Sequence, residues 1–249
     1  MNKKFLIGLI SVTLSLGAIG CSGNKEKVRE QREAYAASLT DSISAVQEEI
    51  EECNTRIDEL RDAVNGWLHD FTTVTNPREA GSYIILTSQR NAYPLKGTGI
   101  TARINDNCQF ELIAALSGKP FSQIKVNAPE QSATSERVPN DQALNYRTPA
   151  LTTVMFSGEA ADSIGKLIAD NELNPLSVTY IERGGVGNYK IPAAEAKMIS
   201  YTYLLYSNQR ELNRLERRVP MLHEKLKLLR AHRDNSSEKS GQEASGTAD

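Results

Sequence analysis

The chain has 249 residues, with 29 lysines and arginines against 31 aspartates and glutamates, and a net charge of −2. A balance this near neutrality offers no basic field to polyanions, so no nucleic-acid partner is expected. Of the three cysteines one lies close to the N-terminus, which leaves Cys53 and Cys108 and no disulfide framework.

In chain order the first feature is a leader. Met1-Asn2-Lys3-Lys4 is short and positive, Phe5 to Gly20 is uncharged and apolar, and Ala18-Ile19-Gly20 puts small residues just before Cys21. That is the layout of a secretory signal over residues 1–20, and the run is short for a membrane span. The stretch "LGAIGC", residues 16 to 21, resembles the lipobox of bacterial lipoproteins. The resemblance covers the first 21 residues and no family is recognised beyond them. It implies that Cys21 becomes the acylated N-terminus of the mature chain, which makes Cys21 the one candidate site residue and membrane lipid the first expected partner. Acyl chains stabilise membrane attachment by about 0.8 kcal/mol per buried CH₂, so several of them anchor the protein firmly. Ser22, in place of Asp, looks like the default for sorting to the outer membrane.

From Cys21 to Phe71 the sequence predicts an anchor followed by a first stalk helix. Leu39, Ile43, Val46, Ile50, Cys53, Ile57, Leu60, Val64, Trp67 and Phe71 recur by alternating steps of four and three, a heptad repeat. A second helix is expected over 193–233, where Met198, Tyr201, Leu205, Asn208, Leu212, Leu215, Val219, Leu222, Leu226 and Leu229 follow the same rule. Pro220 lies inside that run and follows the seam residue Val219, so one bent helix is expected there. Residues 41–62 carry eight carboxylates against two arginines, and residues 210–233 carry eight basic residues against three glutamates. Each run repels its own copy and attracts the other, which favours an antiparallel hairpin within one chain. The expected register puts Ile50 near Leu215 and Ile57 near Asn208. Each helix spans on the order of 60 Å at about 1.5 Å per residue. The polar stretch from Asp234 to Asp249 is expected to be a disordered tail.

Residues 72–192 change rhythm. Ile100, Ala102 and Ile104 alternate with polar residues, Asn105-Asp106-Asn107 supplies a turn, and Phe110, Leu112, Ala114 and Leu116 alternate again, so a β-hairpin is expected. Further strands are expected at 82–87, 121–126, 151–156, 176–182 and 188–191. Ala161, Ile164, Leu167 and Ile168 have helical spacing and run out at Asn171. The fold class is therefore α+β: a long antiparallel coiled-coil hairpin with a small, mainly antiparallel β-sheet domain inserted at its tip. The polar segment 127–148 has no period and is either a binding loop, offering Arg137, Asn140, Asp141 and Tyr146, or disorder.

No reaction chemistry emerges from the residues. His69, His223 and His232 are dispersed along the helices and no Cys/His spacing suits zinc, so no metal or cofactor is expected. Gly184, Gly185 and Gly187 lack the Lys-Ser/Thr of a phosphate loop and read as a turn. The expected function is that of a non-catalytic structural or interaction module, an envelope lipoprotein displaying a small domain to a protein partner. Two other roles suit the outline: a periplasmic chaperone or assembly factor, and an adaptor subunit of an envelope export complex.

Overall fold

The computed structural model describes residues 23–76, 79, 81–139, 144–182 and 187–245, with the backbone alone described at 23–26, 146 and 237–245. The signal segment 1–20 and Cys21 lie outside the described residues, as do Asn140, Asp141, Gly184 and Gly185. Two long helices occupy the ends, α1 (Gly23–Leu68) and α3 (Ala193–Ser245), and a short helix α2 (Glu159–Asp170) lies between them in sequence. The chain divides into two units. One contains α1 up to Glu49 and α3 from Leu222; the other runs from Ile50 to Met221.

In the first unit Leu39, Ile43, Val46, Leu222 and Leu226 are buried, while the charged residues between them are exposed. The second unit buries Ile50, Cys53, Ile57, Leu60 and Val64 of α1. The heptad positions of α1 therefore coincide with its buried stripe, as a seam requires. Helix α1 ends at Leu68, before the expected boundary at Phe71. Phe71 keeps the heptad spacing, yet the β-branched run Thr72-Thr73-Val74-Thr75 behind it favours an extended backbone and takes it into a strand. At the other end α3 passes through Pro220 and continues to Ser245, so the segment expected to be a tail from Asp234 is helical over its described part. Its Glu, Lys, Gln, Ala and Ser tolerate a helix, and Gly241 is its one glycine before Gly246.

The second unit is α+β with two antiparallel sheets. The larger has the order β1-β2-β3-β4-β8-β7, formed by β1 (Phe71–Thr75), β2 (Ser82–Leu86), β3 (Gly99–Asn105), β4 (Phe110–Ser117), β8 (Leu151–Ser157) and β7 (Asn145–Arg147). The smaller has the order β10-β9-β5-β6, formed by β10 (Asn188–Ile191), β9 (Leu176–Ile181), β5 (Gln123–Asn127) and β6 (Ser132–Thr134). The expected β3–β4 hairpin is present, and its turn is closed by side-chain chemistry: Asn105 Oδ1 accepts from the backbone N–H of Asn107 at 3.0 Å and of Gln109 at 2.9 Å. This is the local bond that makes Asn a turn former. Part of the 127–148 segment is strand as well, because β6 pairs with β5 and β7 pairs with β8.

One continuous core joins the sheets to the helices. Ile100, Ala102, Ile104, Phe110, Leu112 and Ala114 supply one face of the larger sheet, Ile124, Val126, Val178 and Tyr180 the smaller sheet, and Ala161, Ile164, Leu167 and Ile168 the buried stripe of α2. Ala196, Ile199, Leu205 and Tyr206 of α3 belong to the same cluster. Where α2 meets β4 and α3 there is no space for a side chain: a Cβ on Gly165 would lie 2.5 Å from Tyr203 Cδ2 and 2.9 Å from the ring of Phe110. Gly165→Ala is thus expected to destabilise the protein by about 1–3 kcal/mol through overpacking, outweighing the roughly 1 kcal/mol that Ala contributes in an open helix. Urea unfolding of the variant checks this; a midpoint at or above that of wild type would show that the ring of Tyr203 yields freely.

Candidate functional site

The β3–β4 register sets Arg103 directly across from Glu111. Both sit on the face of the larger sheet opposite the apolar core, where alternation would put solvent. The face is instead covered. Arg103 is 1 % exposed and its guanidinium is shared among four partners. Its Nε donates to Glu111 Oε2 at 2.6 Å, its other nitrogens donate to Tyr93 Oη and Met155 Sδ, and Glu79 forms a second ion pair. The Tyr83 ring lies against the guanidinium carbon at 3.5 Å. Asn105 Nδ2 donates to Glu111 Oε1 at 2.8 Å, so both oxygens of the buried carboxylate are occupied.

Charge and burial act against each other here. Burial lowers the Arg103 pKa, and the two carboxylates outweigh it, so the guanidinium stays protonated. Burial likewise pushes the Tyr83 hydroxyl up to about 12 against the opposing pull of Arg103. All three nitrogens of Arg103 have partners within the protein. The cluster therefore braces the second face of the sheet.

A second polar arrangement lies beside the start of α3. The Glu195 carboxylate accepts from Tyr189 Oη at 2.7 Å and from the Ile100 N–H at 3.4 Å, and its pKa is raised because burial outweighs those bonds. A cavity of about 50 Å³ adjoins it, lined by Gln89, Tyr93, Leu95, Ile100, Glu195 and Met198 among others. It has room for no more than water-sized contents.

An open surface cleft of about 250 Å³ is lined by Pro129, Glu130, Gln131, Asn171 and Asn174. One wall is the β5–β6 turn, closed by the Ala128 N–H donating to Gln131 O at 2.9 Å. The other is the turn that ends α2, held by Asn171 Nδ2 donating to Leu167 O and by Asn174 Nδ2 donating to Asn171 Oδ1, each at 3.0 Å. Leu173 stands on that turn with 97 % of its surface exposed. Side-chain amides, one carboxylate and a bare leucine can hold a polypeptide surface by hydrogen bonds and one apolar contact.

This cleft takes in the start of the 127–148 segment, but through Pro129, Glu130 and Gln131. Arg137 is exposed elsewhere on the segment, Asn140 and Asp141 lie outside the described residues, and Tyr146 falls in β7 with only its backbone described. Cys53 is a buried free thiol on the α1 seam and Cys108 an exposed one at the β3–β4 turn. Among the described residues no cluster of His, Cys, Asp and Glu could hold a metal ion, and no helix is long and apolar enough to cross a membrane. Sequence reading missed Arg103 and Glu111, although the predicted hairpin already placed opposite charges face to face; it also missed Leu173, because it treated the turn after Asn171 only as a helix stop.

No known protein family matches the chain, and neither a characterised protein nor a solved structure matches it.

Proposed function

We propose that the chain is a lipoprotein of the bacterial cell envelope, held at the outer membrane by acylated Cys21. It acts as a non-catalytic interaction module that presents its α+β domain to an envelope protein on an antiparallel coiled-coil hairpin. One observation carries this reading: the lipobox-like cysteine stands two residues before the first residue of α1, so anchor and stalk are continuous in the sequence.

The hairpin is supported by two ion pairs between the long helices, Arg56–Glu211 at 3.3 Å and Arg61–Glu216 at 3.0 Å. With Ile50, Ile57 and Val64 at position a and Cys53, Leu60 and Trp67 at position d, Arg56 is a g residue and Arg61 an e residue. In α3, with Leu205, Leu212 and Val219 at a and Leu215 and Leu222 at d, Glu211 is g and Glu216 is e. Pairs of g with g and of e with e arise when two heptad helices run antiparallel, whereas parallel helices pair g with e. The two bonds straddle a register in which Ile57 faces Leu215, Leu60 faces Leu212 and Cys53 faces Val219. That is one heptad away from the expectation that Ile57 faces Asn208. The bridging residues are the minority charges of each run, arginines in the acidic helix and glutamates in the basic one. Both pairs are exposed and contribute about 0–1 kcal/mol each, so they report the register more than they stabilise it.

The anchor is tested in cells. Wild type is expected to incorporate a labelled fatty acid and to sediment with outer membranes, and Cys21→Ser is expected to lose both properties. An unlabelled wild type, or a Cys21→Ser protein that still sediments with membranes, would refute the reading.

A further inference from the structure

The two sheets of the second unit expose four edges, and three of them are guarded. Strands β6 and β7 have three residues each, β7 carries Arg147, and the four-residue β10 carries Lys190. Short length and charge are the devices by which sheets resist pairing with another chain. Strand β1 has neither. It is the five-residue stretch Phe-Thr-Thr-Val-Thr, with no charge and no proline, and among the described residues no strand pairs with its outer side.

The direction of its backbone groups follows from one bond. The Thr87 N–H donates to Asp70 O at 2.8 Å, and the β1–β2 register continues from that pair through Phe71↔Leu86 to Thr75↔Ser82. In an antiparallel ladder hydrogen-bonded and non-hydrogen-bonded pairs alternate. Thr72 and Val74 therefore turn their N–H and C=O groups toward β2, and Phe71, Thr73 and Thr75 turn theirs to the free side. Thr73 and Thr75 are exposed.

We propose that the free edge of β1 pairs with β1 of a second copy of this chain, antiparallel and about a two-fold axis through Thr73. Thr73 then faces Thr73 of the second copy and Phe71 faces Thr75, and each of these pairs exchanges two main-chain hydrogen bonds. A strand without charge meets its own copy without like-charge contact, and a Thr–Thr pair across strands is favourable. Self-pairing of β10 or β7 would instead bring lysines or arginines together. The larger sheet thus continues across the axis, and the interface is isologous, as in most soluble homodimers.

The test uses the full-length protein in a non-ionic detergent, followed by density-matched sedimentation equilibrium. Wild type is expected to dimerise reversibly. Thr73→Pro leaves the β1–β2 ladder intact, because the lost N–H points outward, and Thr73→Lys adds like charges at the axis; each is expected to weaken the dimer by about tenfold or more, at a cost of some 1.4 kcal/mol per tenfold. Far-UV circular dichroism confirms that each variant is folded. Should either fail to fold, Thr73→Cys in a Cys108→Ser background decides, since its sulfurs meet at the axis and are expected to form a disulfide-linked dimer on mild oxidation. A wild-type protein that stays monomeric at all concentrations would overturn the proposal. So would a dimer that is unaffected by folded Pro and Lys variants, or one whose Thr73→Cys form does not cross-link.

Discussion

Replacing Arg103 by methionine is expected to destabilise the protein by about 3–5 kcal/mol. The loss does not come from removing an attraction between exposed charges. It comes from stranding the Glu111 carboxylate, which is buried and would keep only Asn105 as a partner. In the same step Tyr93 Oη loses its bond to Arg103 and Glu79 loses its ion pair, keeping the bond from Asn76. A second substitution separates this cause from simple loss of packing. In Arg103→Met with Glu111→Leu no buried charge is left alone, and most of the lost stability is expected to return, because a buried ion pair exchanged for apolar side chains of similar size is often neutral. Urea unfolding of the two single variants and the double variant measures the coupling. Additive losses would mean that the two side chains act independently, against the geometry.

Phe110→Ala is expected to cost about 3–5 kcal/mol as well, by a different route. Phe110 is 1 % exposed, its ring packs edge-on to Tyr203 at 5.5 Å and against Tyr206 at 5.7 Å, and it fills the space in front of Gly165. One side chain thereby ties β4 to both α2 and α3. Truncation removes the transfer energy of a ring and leaves a cavity between rigid elements that relax only in part. The near-UV circular dichroism of the two tyrosines is expected to fall together with the melting temperature, and Phe110→Leu is expected to lose much less of both. Equal effects of Leu and Ala would show that the aromatic contacts add nothing beyond volume.

Much of the fold was legible because its signals are local. The β3–β4 hairpin follows from alternation on either side of Asn105-Asp106-Asn107, α2 from the spacing of Ala161, Ile164, Leu167 and Ile168, and the buried stripe of α1 from its heptads. What escaped depends on remote partners. Phe71 satisfies the heptad spacing as well as the strand, and only its pairing with Leu86 decides between them. Strands β6 and β7 are three residues long and owe their form to β5 and β8, since no period can be read over so few positions. Thr101, Arg103 and Asn105 read as a solvent face, and they are buried because Tyr93 and Glu79, from outside the β3–β4 hairpin, cover that side of the sheet. The cleft between the β5–β6 turn and the end of α2 was out of reach for the same reason, being assembled from two turns about 40 residues apart in sequence. Heptads alone also leave the register of the proposed hairpin open by whole repeats, and only contacts between remote residues, such as the ion pairs of Arg56 and Arg61, bear on it.

The claim on which the display function rests is that α1 and α3 pair within a single chain, and the natural thiol on the seam allows that to be read directly. In a Cys108→Ser background Val219→Cys is expected to form an intrachain disulfide with Cys53, because the proposed register sets the two side by side in one layer of the seam, and a bridge requires Cα atoms no more than roughly 7 Å apart. The product is a monomer of altered mobility on non-reducing gels, and its yield is independent of protein concentration. Leu212→Cys, one heptad away, is expected to remain reduced under the same conditions. Disulfide-linked dimers of Val219→Cys whose yield falls on dilution, with no intrachain product, would mean that each long helix pairs with another chain and would contradict the hairpin.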